Sequence, residues 1–184
     1  QPAGYTTLGP KENIKKFSRV DFIRYHEQHY IAEKTIVVVA GNIDSKEVLR
    51  LVTTAFADMR TGRVISKKKA QTKEGTLLIQ STKKTDQAHI TLGVRSCRAD
   101  HQDIPALGLA VGILGQGMRS RLFTELREEM GAGYYVRASM SASDDCGDIV
   151  IATGTDPVRV PEVVQAICDT TRLLTKTLIS SSEL

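Results

Sequence analysis

The 184-residue chain contains no tryptophan, and aromatic residues make up only 5% of it. Proteins that bind single-stranded nucleic acid usually stack bases on aromatic side chains that lie among basic ones. Here the lysines are not clustered with aromatic residues, and the formal net charge is a modest +4. The sequence therefore gives no support to a nucleic-acid partner, and its charge favours acidic partners only weakly.

Cysteine is scarce, and long apolar runs are missing. The three cysteines, Cys97, Cys146 and Cys168, are odd in number and widely spaced, and no Cys-x-x-Cys pair occurs. A disulfide framework is therefore not expected, and a reducing compartment is the simpler interpretation. No apolar run approaches the ~20 residues of a membrane span, and no signal peptide opens the chain. We expect a cytoplasmic protein with no membrane partner, with an organelle matrix as the alternative location.

The remaining composition is that of an ordinary globular protein, with 41% hydrophobic and 25% charged residues. A chain of this length forms one large domain or two small ones. The sequence changes character after a segment with the basic run Lys67-Lys68-Lys69, which is typical of a solvated linker. We therefore divide the chain into residues 1–59, a basic linker of residues 60–74, and residues 75–184. The first residue is not methionine, so we expect a fragment or a processed product.

The sequence of residues 1–59 predicts a helix, a strand and a second helix. Ser18 is a candidate N-cap for a helix over residues 19–29, with Asp21 three residues later. Residues 36–40 form a continuous apolar run rich in β-branched side chains, which is typical of a central strand covered on both faces. Asp44 is the expected cap of the second helix, and the glutamate three residues later would complete a capping box.

The second part mixes strands and helices. Its predicted elements are strands 76–83, 87–95, 134–142 and 148–154, an apolar helix 106–114, a central helix that ends at Gly131, and a last helix from Asp156. The apolar helix should be buried, and Gly108 and Gly112 would let another backbone approach it closely. We predict an α+β fold with mixed, largely antiparallel sheets that pack with helices on one side and span parts of two α/β repeats.

The stretch from Leu114 to Val136 organises the second part, because two glycine loops flank a short amphipathic helix. Its apolar face consists of Leu122, Phe123, Leu126 and Met130 at helical spacing. Gly131 should end the helix in the left-handed conformation. Arg127 then lies in the last turns and Tyr134 just across the loop, so that a guanidinium and a phenol could together hold a peptide carbonyl.

The same stretch, LGQGMRSRLFTELREEMGAGYYV, closely resembles the LG-G-SSRLF-ELRE-G-Y-V block of the pitrilysin and insulin-degrading enzyme family. Those proteins are zinc metallopeptidases, and the family includes the mitochondrial processing peptidases and their bacterial relatives. Tyr30 and the segment from Thr35 to Asn42 resemble a second family pattern, Y-x-x-x-N-x-x-V-V-x-x-G-D, with Asn42 in place of its aspartate. The resemblance extends over essentially the whole chain and implies the C-terminal part of a two-repeat unit.

The resemblance implies a parent zinc metallopeptidase that hydrolyses peptides with a zinc-bound water. In the family the inverted motif His-x-x-Glu-His and a distal glutamate ligand lie upstream, so the zinc ligands fall outside this chain, which alone would be inactive. Arg127 would hold the peptide backbone, and Tyr134 would donate a hydrogen bond to the carbonyl as negative charge develops. Gly115 and Gly117 would form a loop that borders the chamber. The implied partners are a peptide substrate and the missing N-terminal catalytic part.

One helical pair of histidines, His26 and His29, could share a metal ion on one helix face. The pattern His26-Glu27-Gln28-His29 nevertheless fails both zinc peptidase templates. His-Glu-x-x-His needs histidine at position 30, which is Tyr30, and the inverted motif needs glutamate at position 29. We therefore predict a solvated polar helix face and no metal site in this chain.

We interpret the chain as the substrate-binding and domain-pairing portion of a zinc-dependent metalloendopeptidase. Two alternatives stay open. One is a fragment of a non-catalytic homologue that acts as a structural or partner-activating subunit, and the other is an unrelated α+β protein-interaction domain. We also expect a homo-oligomer, because each part looks like a piece of a larger sheet and leaves unpaired strand edges and apolar faces.

Overall fold

The computed structural model describes residues 5–66, 68–71, 75, 77–181 and 183. Its α+β architecture confirms the predicted fold class, and the chain divides into two units, Gln1–Gln71 and Thr72–Leu184. Lys67 of the basic run and residues 72–74 of the predicted linker lie outside the described residues, and the division into two α/β repeats stays a prediction. No helix in the described ranges combines the length and the apolar character needed to cross a membrane.

The described part of the first unit contains three α-helices, two of which begin with a side-chain hydrogen bond to the backbone. These helices are α1 (Lys11–Lys16), α2 (Arg19–His29) and α3 (Ser45–Ala55), with a 3-10 turn at Ala32–Lys34. The Ser18 backbone N–H donates to the Asp21 carboxylate at 2.9 Å, which confirms the predicted start of α2. Asp44 accepts two backbone N–H groups at the start of α3. The predicted capping box there is wrong, because the Glu47 carboxylate binds the Arg50 guanidinium at 2.8 and 3.0 Å instead.

The predicted strand at residues 36–40 is not paired in a sheet within the described part of the chain. Ile36 and Val38 expose 89% and 82% of their surface. Among the described hydrophobic residues of this unit, only Ile31 is buried. A central strand needs hydrogen-bonding neighbours on both sides, and the described residues of this unit provide none. The prediction of a strand covered on both faces is therefore wrong for this chain.

The second unit is built around one antiparallel sheet. Its elements are β1 (Ala88–Ser96), α4 (Ile104–Gly115), α5 (Arg121–Phe123), a π-helical segment (Thr124–Glu129), β2 (Tyr135–Ala142), β3 (Gly147–Thr155), a 3-10 turn (Pro157–Arg159) and α6 (Val160–Lys176). The strand order is β1-β3-β2, so β3 is central. The predicted strand 76–83 is wrong, because residues 77–83 belong to no strand and residue 76 lies outside the described part.

The hydrophobic core lies between one face of this sheet and the helices. It consists of Val111, Leu114, Leu122, Leu126, Ala132, Ala138, Ile151, Val163 and Ile167. The α4 helix is less buried than predicted, since Leu109 exposes 60% of its surface. The predicted close approach is also displaced along this helix. A Cβ on Gly115 would lie 2.6 Å from the Cβ of Ala138, whereas a Cβ on Gly108 would meet nothing within 4 Å.

Candidate functional site

The central stretch of the second unit begins as α5 and continues as the π-helical segment. The wider turn closes where the Met130 N–H donates to the Glu125 carbonyl at 2.9 Å. Gly131 follows with φ of 57°, the left-handed conformation that was predicted for the end of this helix. The predicted amphipathic helix is therefore not α-helical throughout, because the chain changes from α to π geometry at Thr124. Such π turns are rare and occur frequently at functional sites.

The loop after this segment is held by hydrogen bonds from both ends. The N–H groups of Ala132 and Gly133 donate to the Leu126 carbonyl at 2.8 and 2.9 Å, which folds the loop back onto the helix. The buried Thr155 hydroxyl of β3 donates to the Ala132 carbonyl at 2.7 Å. Because the loop is fixed to the helix and to the central strand, its backbone is preorganised.

Further bonds fix the flanks of the same loop. The Arg159 guanidinium donates to the Met130 carbonyl at 3.1 Å, where the loop begins. Where the loop ends, the Tyr134 N–H donates to the Gly154 carbonyl at 2.9 Å. The sequence did not indicate these contacts, because a threonine or arginine that binds a distant carbonyl has no local signature. The feature of the sequence that came nearest to indicating a fixed loop is the short distance along the chain between the predicted helix and the predicted strand.

Arg127 lies on the exposed side of the π-helical segment. Its guanidinium carbon is 5.2 Å from the centroid of the Phe123 ring, within cation–π distance. None of the residues that the structure describes forms an ion pair or hydrogen bond with this guanidinium. Its N–H groups are therefore available to the carbonyls of a peptide backbone.

Tyr134 exposes 57% of its surface, and its hydroxyl binds no described residue. Gly133, just before it, contacts Leu126, just before Arg127, and a Cβ on Gly133 would lie 3.4 Å from the Leu126 Cβ. The backbones that carry the two predicted site residues are thus in direct contact. Tyr134 lies just before β2, which begins at Tyr135, and its N–H donates to the carbonyl of Gly154, the residue that pairs with Tyr135. Whether both side chains bind one peptide stays a prediction.

The two predicted chamber-loop glycines have different environments. Gly117 lies in the loop after α4 with φ of 85°, a conformation that favours glycine. Gly115 is the buried last residue of α4 and packs against Ala138 of β2. Gly115 therefore serves helix–sheet packing, and the bordering of a chamber by either glycine stays a prediction.

A groove of about 740 Å³ lies beside this loop. Leu109 and Met118 provide its exposed apolar lining, and Arg119 and Glu128 add charge at its wall. Arg127 and Tyr134 do not line it, so the groove and the predicted peptide contacts are separate features of the second unit.

An ion pair ties residues near the C-terminus to the start of α5. Arg121 binds Glu183 through two hydrogen bonds, Nε to Oε1 at 2.7 Å and Nη2 to Oε2 at 3.1 Å. The Arg121 hydrogen bond, aided by the Ser180 N–H and hydroxyl, lowers the pKa of the Glu183 carboxyl to about 2. Both groups are therefore charged at neutral pH, and the pair was not visible in the sequence.

Each of the two histidine rings of α2 packs against a tyrosine ring. The His26 ring stacks on Tyr30 with centroids 4.6 Å apart, and the His29 ring lies against Tyr25 at 4.3 Å. Within the described part of the chain, no group of three or more histidine, cysteine, aspartate or glutamate residues could hold a metal ion. Zinc therefore does not fit these residues, and no chemical step is assigned to a metal here.

Comparisons with known proteins all find relatives among peptidases or domains of peptidases. A family profile described as the inactive domain of peptidase M16 matches residues 16–184. The uncharacterised zinc protease YmxG of Bacillus subtilis is 30% identical over 182 residues, which cover 98% of this chain and 44% of that protein. An uncharacterised zinc protease of Mycobacterium leprae is 29% identical over 172 residues, which cover 91% of this chain and 39% of that protein.

A solved structure shows the same fold. The peptidase M16 inactive domain from Pseudomonas fluorescens superposes with a TM-score of 0.83 at 19% identity, over 99% of this chain and 44% of that one. The chain thus spans less than half the length of these relatives.

Proposed function

This chain belongs to the family of the peptidase M16 inactive domain, and we propose that it is the substrate-binding and domain-pairing portion of a zinc-dependent metalloendopeptidase. The proposal rests on the preorganised loop that brings the backbones of Arg127 and Tyr134 together while their donors stay unpaired among the described residues. Family membership removes the interpretation as an unrelated α+β interaction domain. The names of the two curated relatives support a peptidase role for the parent protein.

In the proposed site the two side chains have different tasks. The Arg127 guanidinium binds carbonyl groups of an extended peptide and fixes its position. The Tyr134 hydroxyl donates to the carbonyl that is attacked, where negative charge develops in the transition state. The backbone of the loop already takes part in five hydrogen bonds, with the helix, with β3 and with the Arg159 side chain. Little ordering is therefore required when the peptide binds.

Zinc would be held by the N-terminal part of the parent protein, which is also the proposed intramolecular partner. Among the described residues no group of three or more His, Cys, Asp or Glu side chains could hold a metal ion, and in this proposal the chain contributes peptide contacts and pairing surfaces. We expect the isolated chain to be inactive. A cytoplasmic location, with an organelle matrix as alternative, stays a prediction.

Two apolar segments support the proposed domain pairing. Residues 36–39 in the first unit and 77–79 in the second unit are strand-like in sequence but belong to no strand among the described residues. Leu77, Leu78 and Ile79 are as exposed as Ile36 and Val38 of the first segment. Unpaired, exposed apolar strands are templates for pairing with another sheet. In the parent protein the N-terminal part is the proposed partner, and in the isolated chain a second copy is.

A non-catalytic homologue is the second candidate. The family description itself names an inactive domain, so the parent protein can use this fold without performing chemistry in it. A structural or partner-activating subunit would still bind peptides or a partner through the same surfaces. The two candidates differ in whether Tyr134 acts in turnover or only in binding.

The test of the site uses the full-length protein. Tyr134→Phe should lower kcat about 10²- to 10³-fold, on the order of 2.7–4 kcal/mol of barrier, while KM changes little, because the bond strengthens only in the transition state. Tyr25→Phe, at an exposed tyrosine of the first unit, is the matched control and should leave kcat unchanged. Unchanged turnover with Tyr134→Phe would remove the substrate-site assignment.

Arg127 is tested in the same assay. Arg127→Ala should raise KM and lower kcat together, because the guanidinium holds the peptide in both the ground state and the transition state. Arg172→Ala on α6, another exposed arginine, provides the control. An Arg127→Ala protein with the kinetics of the control would leave this residue with a structural role alone.

The domain-pairing proposal predicts self-association of the isolated 184-residue chain. Light scattering should show a concentration-dependent increase in mass, and Val38→Lys or Leu78→Lys should reduce it, because a charge on an exposed strand opposes pairing. Thr53→Lys, at an exposed polar position of α3, should not. A strictly monomeric chain at all concentrations would contradict the proposal.

A further inference from the structure

The open face of the sheet carries a row of three residues next to the candidate site. His89 of β1, Gly154 of β3 and Tyr135 of β2 lie directly opposite one another. His89 Nδ1 is 3.2 Å from the Tyr135 hydroxyl, a hydrogen-bonding distance that spans the central strand. The two rings have centroids 6.0 Å apart at an interplanar angle of 30°.

The bond is possible because the residue between the two rings has no side chain. A Cβ on Gly154 would lie 2.7 Å from Cε1 of Tyr135 and 3.5 Å from Nδ1 of His89. The first of these distances is far shorter than a van der Waals contact between carbon atoms. Any other residue at position 154 would therefore displace the Tyr135 ring and separate its hydroxyl from His89.

Gly154 also fixes the backbone of the proposed site residue. Its carbonyl accepts the Tyr134 N–H at 2.9 Å. On the neighbouring residue, the buried Thr153 hydroxyl donates to the Tyr135 carbonyl at 2.6 Å. The backbone of Tyr134 and Tyr135 is thus held by β3, while the Tyr135 side chain is held across the sheet by β1.

The position of this row explains why such a bond matters. Among the described strands β2 lies at an edge of the sheet and begins at Tyr135, and the ends of edge strands separate from a sheet more readily than its centre. Within the described residues, His89 provides the hydrogen bond that reaches the Tyr135 hydroxyl. Loss of it would leave the beginning of β2, and the residue just before it, with greater freedom.

We propose that His89 is a positioning residue, which holds Tyr135 flat over Gly154 and thereby fixes the direction in which Tyr134 leaves the sheet. This inference rests on the proposed function of Tyr134. In this role His89 acts through Tyr135, because its Nδ1 lies at hydrogen-bonding distance from the Tyr135 hydroxyl.

The test measures kcat and KM of the full-length protein. His89→Ala and Tyr135→Phe should each lower kcat about five- to tenfold, as expected for the loss of one hydrogen bond, with KM changed less than twofold. His89→Asn, whose amide group takes the place of Nδ1, should restore most of the turnover. Thr91→Ala, on the same strand and the same face, is the matched control and should have no effect.

The double variant His89→Ala with Tyr135→Phe separates positioning from direct contact. If the two residues act through their mutual bond, the double variant should lose no more turnover than either single variant. Additive losses would show that each residue acts independently, and they would overturn the proposal. A loss of turnover that merely follows the fraction of unfolded protein, measured by circular dichroism in the same samples, would overturn it as well.

Failure of this inference can be told apart from failure of the proposed function. If Tyr134→Phe lowers kcat while His89→Ala does not, the positioning role is wrong and the site assignment stands. If Tyr134→Phe has no effect, the assignment of Tyr134 to the substrate site is wrong. The positioning role of His89 is then wrong as well, because it depends on a functional Tyr134.

Discussion

The two units use apolar residues in opposite ways. In the second unit, apolar side chains from α4, α5, the π-helical segment, the strands and α6 meet in one buried core. In the first unit, α2 and α3 expose large apolar side chains, such as Phe22 at 65% and Leu49 at 68%. Both units contain helices, but among the described residues only those of the second unit bury an apolar face in a core. The first unit has caps and helical spacing, but its described residues include no sheet against which the helices could pack.

This difference shows which forces are local. Caps, such as Asp44 at α3, satisfy backbone groups within a few residues. Burial requires a second surface, which in the second unit is the sheet and in the first unit is absent from the described residues. The first unit is therefore the part whose stability should depend most on a partner.

A leucine truncation in each unit tests the contrast most strongly. Leu126→Ala, at a residue with no exposed surface, should lower the free energy of unfolding of the second unit by about 2–5 kcal/mol, because it leaves a cavity in the core. Leu49→Ala, on the exposed face of α3, should change the free energy of unfolding of the first unit by less than about 0.5 kcal/mol. Urea unfolding followed by circular dichroism measures both. A comparable cost for Leu49→Ala would mean that α3 is covered in solution.

The helix–sheet contact of the second unit provides a smaller test. Gly115→Ala should cost about 1–3 kcal/mol, because the added Cβ meets the Ala138 backbone and Cβ. Gly108→Ala on the same helix has free space around it and should stabilise the protein by about 0.5–1 kcal/mol through helix propensity. Thermal unfolding of the two variants should move in opposite directions. Equal shifts would mean that α4 does not press on β2 at Gly115.

The first unit should respond to its caps rather than to burial. Asp44→Ala should destabilise α3 by about 1 kcal/mol, because the Lys46 and Glu47 N–H groups lose their acceptor. Hydrogen exchange of the α3 amides should accelerate about fivefold or more. Asp58→Ala, just beyond α3, is the control and should leave those rates unchanged. Unaltered exchange in Asp44→Ala would show that contacts other than the cap hold α3.

The smallest effect concerns the ion pair of the second unit. The pKa of Glu183 falls from its usual 4.5 to about 2 in the folded chain, chiefly through the Arg121 hydrogen bond. Since the folded pKa is the lower one, the stabilisation is present above about pH 4.5 and is lost as the pH falls toward 2. The difference in Tm between the unsubstituted chain and the Glu183→Gln variant should shrink as the pH falls from about 4.5 toward 2. Glu128→Gln is the control, and a difference that persists at the lowest pH would contradict the assignment.

Much of the second unit could be predicted because its signals are short-range. Alternation placed β1, β2 and β3 within one residue of the observed bounds, and Gly131 marked the end of the helix. The α2 helix of the first unit was likewise placed by Ser18 and Asp21. These signals depend on neighbours within three or four positions, so they survive in a chain whose long-range partners are unknown.

The failures share a long-range cause. Residues 36–40 and 77–83 have the composition of strands, but pairing depends on which other strands are present. Gly108 and Gly112 suggested a close contact that occurs at Gly115, because only the orientation of α4 against β2 decides which glycine faces the sheet. The threonine and arginine bonds around the loop were missed for the same reason.

The strand order β1-β3-β2 has a consequence for how the chain is made. β2 and β3 are joined by a short turn in which the Ser143 N–H binds the Cys146 carbonyl at 2.7 Å, so this hairpin can form within about 1–10 μs of its completion. β1 ends at Ser96, whereas its partner begins at Gly147. At a synthesis rate of about 5–20 residues per second, β1 leaves the ribosome several seconds before β3 exists. During that interval β1 is open to pairing with a neighbouring nascent chain, and Arg95 near its end is the kind of charge that discourages such association.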